Sequence, residues 1–85
     1  MKPHVRNYFK AFGYDESSVI MCEVCGAVAI DIHHVLGRWK FGKKRKGEQD
    51  DVTNLVALCR SCHDKAHGDY AKVYRQMCEE IISKR

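Results

Sequence analysis

The chain has 85 residues, of which 45% are hydrophobic and 31% are charged, and its formal net charge is +4. This composition excludes a disordered or fibrous chain, and the length suits one small domain spanning residues 1–85. So short a chain buries only about 60–65% of its unfolded surface, so that we expect its core to need a further stabilising element.

The sequence carries no signal for secretion or for a membrane. The first ten residues, MKPHVRNYFK, lack an apolar signal segment, and no apolar stretch reaches the length of a membrane span. We therefore expect a cytoplasmic protein with no membrane partner. Thiols stay reduced in that compartment, where paired cysteines are typical of metal sites rather than disulfides.

The first half of the chain predicts a helix followed by β structure. Between Pro3, which suits a first helical turn, and Gly13, which suits a helix end, the apolar residues recur at helical spacing: Val5, Tyr8, Phe9 and Phe12. Residues 14–18 predict a turn. Residues 19–35 are rich in Val and Ile, which favours strands, and are interrupted by a Cys-x-x-Cys turn.

Positive charge is concentrated in residues 37–47, GRWKFGKKRKG, which we call the basic segment. It holds six of the 15 basic residues and no acidic one: Arg38, Lys40, Lys43, Lys44, Arg45 and Lys46. The rest of the chain has more acidic than basic side chains. A local cationic patch of this kind attracts a polyanion, so that we expect contact with phosphate groups within a loop at 37–51. Trp39 and Phe41 are expected to pack on the domain, and stacking on a nucleic acid is the alternative.

The second half predicts a strand and two helices. The apolar run LVAL at 55–58 suits a partner strand, and the next helix carries His63 and His67 and ends at Gly68. Asp69 suits the N-cap of the last helix. That helix has an apolar stripe, on which Cys78 is expected as a buried small side chain: Tyr70, Val73, Tyr74, Met77, Cys78, Ile81 and Ile82.

Two Cys-x-x-Cys pairs predict a structural zinc site. Thiolates three residues apart at a tight turn can bind one ion, and two such pairs supply four tetrahedral ligands: Cys22, Cys25, Cys59 and Cys62. Four thiolates leave no open position, so that this zinc would stabilise the fold without taking part in a reaction.

The histidines predict a second metal site. Residues four apart on a helix share a face, so that His63 and His67 can bind one ion, whereas Cys62 faces elsewhere. In the predicted strand, alternation sends His33 and His34 to opposite faces, and at most one of them should join that ion. Three protein ligands with open positions are typical of a catalytic metal, and the remaining imidazole would be a natural general base.

The order of these motifs, Cys-x2-Cys, then DIHHV, then NLVALCRSCHDKAH, resembles that of the HNH endonucleases, including those of phages and mobile elements. The resemblance runs from Cys22 to His67. It implies an α+β fold with a small ββα-metal (His-Me finger) core, a four-cysteine structural zinc site and flanking N- and C-terminal helices. It also places the protein in a bacterial or phage-infected cell.

The resemblance also implies roles for individual residues. His33, His63 and His67 are expected to bind the catalytic divalent metal, and His34 to act as the general base. Asn54 is expected to hold the loop behind that base. Asp31, before the histidine pair, would orient a neighbouring side chain; an exposed carboxylate without such a role is the alternative.

The implied function is metal-dependent hydrolysis of DNA, nicking or cutting both strands, with 5′-phosphate and 3′-hydroxyl products. The catalytic ion stays open among Zn²⁺, Mn²⁺, Ni²⁺, Co²⁺ and Mg²⁺. One alternative is a non-catalytic zinc module that binds DNA or protein. Another is a nuclease subunit that works only beside phage packaging or recombination proteins. The sequence gives no indication of the oligomeric state.

Overall fold

The computed structural model describes residues 1–42 and 44–85, and describes only the backbone at Arg38, Trp39 and Lys46. Its elements, in chain order, are α1 (Pro3–Phe12), β1 (Asp31–His34), α2 (Arg38–Phe41), α3 (Lys46–Gln49), a short 3₁₀ helix (Val52–Asn54), β2 (Leu55–Leu58), α4 (Arg60–His67) and α5 (Ala71–Ser83). The two strands pair antiparallel. The predicted α+β class, with helices flanking a small sheet, is confirmed.

Helix α1 follows the expected pattern closely. Pro3 occupies the first turn, and Gly13 ends the helix with a φ of 73°, a left-handed conformation that glycine adopts without strain. Tyr8 is buried, with Val5 and Phe9 packed beside it, whereas Phe12 is 40% exposed. Among the described residues, no helix is both long and apolar enough to span a membrane.

Strand β2 lies between two apolar clusters, which explains its unbroken apolar sequence. Val56 and Leu58 pack toward α4 and α5, while Leu55 and Ala57 pack on the side of Tyr8 in α1. Successive strand residues point to opposite faces, so that a strand covered on both sides has no polar position. All four side chains are fully buried.

The pairing register assigns the residues of β1 to the same two sides. His33 lies opposite Val56, on the α4 side, and His34 lies opposite Leu55, on the α1 side. Asp31 shares the side of His33, and Ile32, which packs in the cluster with Tyr8, shares the side of His34. Adjacent histidines are therefore directed to different faces of one sheet.

Helices α4 and α5 stack on the sheet. Cys59 is the N-cap of α4, and its sulfur accepts a hydrogen bond from the Cys62 amide at 3.4 Å. In α5, Cys78 is fully buried, as predicted. Tyr70 and Val73 are instead 56% and 52% exposed, because the buried stripe is narrower than expected and consists of Tyr74, Cys78, Ile81 and Ile82.

Three sequence-based expectations were wrong. Tyr70, not Asp69, is the N-cap of α5, and it makes no side-chain capping bond. Residues 19–35 form only an isolated bridge between Met21 and Val28 and the four residues of β1, because the intervening turn interrupts the strand. The segment 37–51 is not an irregular loop, since it contains α2 and α3. Lys, Glu and Gln have good helix propensity, which favours such short helices.

Candidate functional site

Four cysteine sulfurs meet where the turn at residues 22–25 approaches the start of α4. Ligand atoms of Cys22, Cys25, Cys59 and Cys62 all lie within 4.8 Å of one another. The sulfurs of Cys25 and Cys59 are 3.5 Å apart. Gly26 turns the chain after the first pair with a φ of 82°, and its amide donates to the Cys22 carbonyl. Two thiolates on one tetrahedral zinc are separated by roughly 3.8 Å, so that this cysteine cluster fits a zinc site.

The surroundings of the cysteine cluster shift the pKa values of its thiols in opposite directions. Burial would raise the pKa of Cys22, but backbone amides of Cys25, Cys59 and Val24 oppose this effect and lower that pKa to about 6. Burial raises the pKa of Cys62 to about 12. Thiolates this close repel one another, and a bound cation is what allows all four to ionise together.

Three imidazoles meet on the α4 side of the sheet. Ligand atoms of His33, His63 and His67 lie within 4.8 Å of one another, and we call these residues the histidine cluster. The Nε2 atoms of His63 and His67 are 3.1 Å apart. Two nitrogens on one tetrahedral zinc would be roughly 3.3 Å apart, so that the helix presents this pair at ligand spacing.

The histidine cluster is held in a form that suits metal binding. Burial, followed by the neighbouring His67 and His63, lowers the pKa of His33 to about 4. Its imidazole is therefore neutral at neutral pH and has a lone pair available. Asp31 Oδ2 lies 3.6 Å from His63 Nδ1, the nitrogen that points away from His67. A carboxylate behind a ligating histidine orients the ring.

His34 faces different neighbours from those of His33. Its Nε2 lies 2.8 Å from Asp50 Oδ1. A carboxylate only accepts hydrogen bonds, so that Nε2 is the donor in this contact and Nδ1 is the other ring nitrogen of His34. The His4 ring packs against His34 with a centroid distance of 4.3 Å. Ligand atoms of His4, His34 and Asp50 also lie within 4.8 Å of one another, and we call these residues the His34 cluster.

Asn54 links the two segments that flank the strands. Its Oδ1 accepts from the Leu36 amide at 2.8 Å, and its Nδ2 donates to the carbonyls of Leu36 and Gln49, both at 2.9 Å. The side chain is only 5% exposed. These hydrogen bonds join Leu36, which follows shortly after His34, to the end of α3.

One open cleft connects the two faces at the end of β1. Its volume is about 180 Å³, and its lining includes His33, His34, His67 and the cationic Arg75 of α5. A proton acceptor, two potential metal ligands and a positive charge therefore border the same space. This arrangement can bind a phosphate group and act on it.

The structure describes only some of the side chains in the basic segment. Lys40, Lys44 and Arg45 are exposed. Arg45 pairs with Glu48 at 2.6 Å and lies 5.7 Å from the centre of the Phe41 ring. Lys43 and the side chains of Arg38, Trp39 and Lys46 lie outside the described part of the chain.

Sequence reasoning missed His4, Asp50 and Arg75. His4 stands alone in the sequence, in the first turn of α1, and Asp50 belongs to no recognisable motif. Their proximity to His34 depends on how α1 and the end of the 37–51 segment pack. Arg75 lies four residues after Ala71, so that the two share a face of α5, and both line the cleft. The sequence does not show which face of α5 meets the cleft, because helix packing decides this.

Comparison with known proteins agrees with this arrangement. Residues 22–69, more than half of the chain, match the HNH endonuclease family model. That span contains β1, β2 and α4, and it fits the ββα-metal fold. A mitochondrial DNA mismatch repair protein, a mutS homolog from Sarcophyton glaucum, is 37% identical over 46 residues, which are 54% of this chain and 5% of that protein. No solved structure matches the chain significantly. The chain belongs to the HNH endonuclease family.

Proposed function

We propose that this protein is a metal-dependent endonuclease that hydrolyses DNA phosphodiester bonds. Membership of the HNH family supports a nuclease-type function. The observation that supports the proposal is the cleft lined by His33, His34 and His67, since the His34 imidazole borders it together with two potential metal ligands. The whole chain, residues 1–85, would act as one nuclease domain.

The residues present fit a divalent metal. His33, His63 and His67 would hold it through three nitrogens, and Asp31 would orient His63 from behind. When bound, such an ion supplies Lewis-acid stabilisation of negative charge on the phosphate. Three imidazoles favour Zn²⁺, Mn²⁺, Ni²⁺ or Co²⁺, and Mg²⁺ remains a candidate through oxygen ligands from phosphate and water.

His34 would be the general base. Its Nδ1 would take the proton from the attacking water, while Asp50 accepts from Nε2 and favours the imidazolium that forms. Asn54 would fix the backbone behind this pair through Leu36. Attack on phosphorus with departure of the 3′-oxygen would leave a 5′-phosphate and a 3′-hydroxyl.

Cationic side chains would position the DNA. Arg75 borders the cleft and would contact the phosphate being cut, and its fixed guanidinium geometry suits this role. Lys40, Lys44 and Arg45 of the basic segment would neutralise neighbouring phosphates, together with Arg38, Lys43 and Lys46. The cysteine cluster would hold the structural zinc.

There are two alternative hypotheses. A non-catalytic zinc module would need the cysteine cluster. It would not need the histidine cluster and His34 to lie beside one cleft. A nuclease that acts within a larger protein or assembly is favoured by the comparison with the mutS homolog, in which the similar stretch is only 5% of the length.

Cleavage of supercoiled plasmid across a panel of divalent metals tests the proposal. We expect nicked or linear product from the unmodified protein with at least one metal. The His67→Ala variant should need a higher metal concentration for the same rate, because one ligand is lost. Lys65→Ala, an exposed change on the same helix, is the matched control and should behave as the unmodified protein does.

The possible outcomes separate the readings. Absence of cleavage with every metal would contradict the proposal for the isolated protein and favour a zinc module that only binds or a nuclease that acts within a larger assembly. Equal metal dependence of the His67→Ala variant and the unmodified protein would remove His67 from the metal site.

A further inference from the structure

We propose that the His34 cluster is a third metal site, which binds a transition-metal ion such as Zn²⁺, and that metal bound there inhibits DNA cleavage. The site consists of His4, His34 and Asp50. It lies on the opposite side of the sheet from the ligand nitrogens of the histidine cluster. The inhibition depends on the role proposed above for His34, whereas the metal binding does not.

The donor atoms of the three residues lie close together. One ligand atom from each of the three residues lies within 4.8 Å of those from the other two. His34 Nε2 and Asp50 Oδ1 are 2.8 Å apart, and the ring centroids of His4 and His34 are 4.3 Å apart. Binding of one ion would replace the proton shared by His34 Nε2 and Asp50 Oδ1. It would increase the distance between these two atoms by roughly half an ångström, because two ligands of a tetrahedral zinc are roughly 3.3 Å apart.

The surroundings hold these residues in place independently of any metal. His4 belongs to α1, which packs against β1 and carries the buried Tyr8. From the same helix, Asn7 Nδ2 donates to the Asp50 backbone carbonyl at 2.8 Å. His34 is fixed by the pairing of β1 with β2. Three separate segments are thus joined at this point, and each supplies one ligand.

The chemistry of the donors selects the class of ion. Two imidazoles and one carboxylate suit Zn²⁺, Co²⁺ and Ni²⁺, whereas Mg²⁺ prefers sites built from oxygen. All three residues are partly exposed, so that an ion can enter from solvent. Strand alternation keeps this site distinct, since His33 lies on the α4 side of the sheet and His34 on the α1 side.

Occupancy would change what His34 can do. A metal on Nε2 would hold the His34 ring by its bonds to His34, His4 and Asp50. The same ion would take Asp50 away from its hydrogen bond to Nε2. Excess transition metal would therefore slow cleavage by acting on the base, even when the histidine cluster already holds its own ion.

Zinc titration of untagged protein tests both parts of the proposal. Zinc-loaded protein is titrated by calorimetry, and cleavage is measured at a fixed concentration of a supporting metal as Zn²⁺ is raised. The variants are His4→Ala and Asp50→Asn, and Lys10→Ala, an exposed change on α1, is the matched control. Exchange of metal at the histidine cluster affects all four proteins equally. The NMR signals of the imidazole rings show whether the added zinc binds at His4.

We expect the unmodified protein and Lys10→Ala to bind one more zinc equivalent than His4→Ala, with shifts of the His4 and His34 ring signals. We also expect the zinc concentration that halves cleavage to rise at least tenfold in His4→Ala, each protein being compared with its own rate before zinc is added.

Equal zinc binding by all four proteins would show that the His34 cluster is not a metal site. An extra equivalent without any effect on a cleaving protein would overturn the inhibition, and cleavage failing in every protein would reject the proposed function while the binding count still decides the site.

Discussion

Asn54 shows how one buried side chain can fix the backbone close to the proposed base, His34. It satisfies three backbone groups of Leu36 and Gln49 and is itself only 5% exposed. A buried polar group that loses its partner costs about 1–3 kcal/mol. The position of His34 relative to the cleft therefore depends on a residue that does not line it.

Replacing Asn54 with Ala should lower the free energy of unfolding by about 2–3 kcal/mol, since the amide and carbonyls it serves would lose their partners. Chemical unfolding of the zinc-loaded variant and the unmodified protein measures this difference. Thr53→Ala is the neighbouring control, because its exposed side chain bonds only to Asp51. A loss below 0.5 kcal/mol in the Asn54 variant, a threshold typical of surface changes, would contradict the account.

Strand β1 and helix α4 together direct the potential metal ligands into separate clusters. Strand alternation directs His33 to the α4 side and His34 to the α1 side. The helical repeat brings His63 and His67 onto one face, while Cys62 stays with the other sulfurs. Two adjacent residues in α4 therefore belong to two different clusters, and the cysteine cluster fixes the start of the helix that carries the histidines.

The basic segment is an element whose charge should govern DNA affinity. Replacing Lys43, Lys44, Arg45 and Lys46 by Ala should weaken DNA binding and reduce the slope of log affinity against log salt by about 2–4, because each phosphate contact contributes roughly 0.9. Binding isotherms at several salt concentrations measure this slope. The double variant of Lys10 and Lys84, two exposed lysines outside the segment, should keep it. An unchanged slope in the fourfold variant would exclude the segment from DNA contact.

At the scale of the whole molecule, stability should depend on zinc. The cysteine cluster joins the turn at residues 22–25 to α4, and both apolar cores are small. Zinc binding by four thiolates supplies about 10–16 kcal/mol of apparent free energy, as much as the net stability of a typical domain. The metal and the fold should therefore be lost together.

We expect the Cys25→Ala variant to lose the structural zinc and most of its helical circular dichroism near physiological temperature. Cys78→Ala is the matched control, because this buried thiol is not one of the four sulfurs that converge, so that the variant should keep zinc at a cost of about 1–2 kcal/mol for the cavity. Metal content and thermal unfolding, measured on the same samples, make the test. A folded, zinc-free Cys25→Ala protein would show that the metal is not needed for stability.

Local patterns in the sequence predicted most of the fold and the composition of both main clusters. Helical periodicity puts His63 and His67 on one face, strand alternation separates His33 from His34, and the paired cysteine spacing brings the sulfurs together. The choice of His33 over His34 as the ligand rests on the resemblance to the HNH endonucleases. His4 and Asp50 could not be predicted, because they reach His34 through the docking of α1 and the end of α3. The short helices within 37–51 were missed for a related reason, since four-residue helices leave no periodic signal.

His34 is the proposed base in DNA cleavage, and the single-turnover cleavage rate of His34→Ala tests this role. Zinc content, helical content and DNA affinity are measured on the same preparation as controls. We expect these to stay within about twofold while the cleavage rate falls by about 10²–10⁴, the usual contribution of a general base. Cleavage by His34→Ala at the rate of the unmodified protein would show that His34 is not the base.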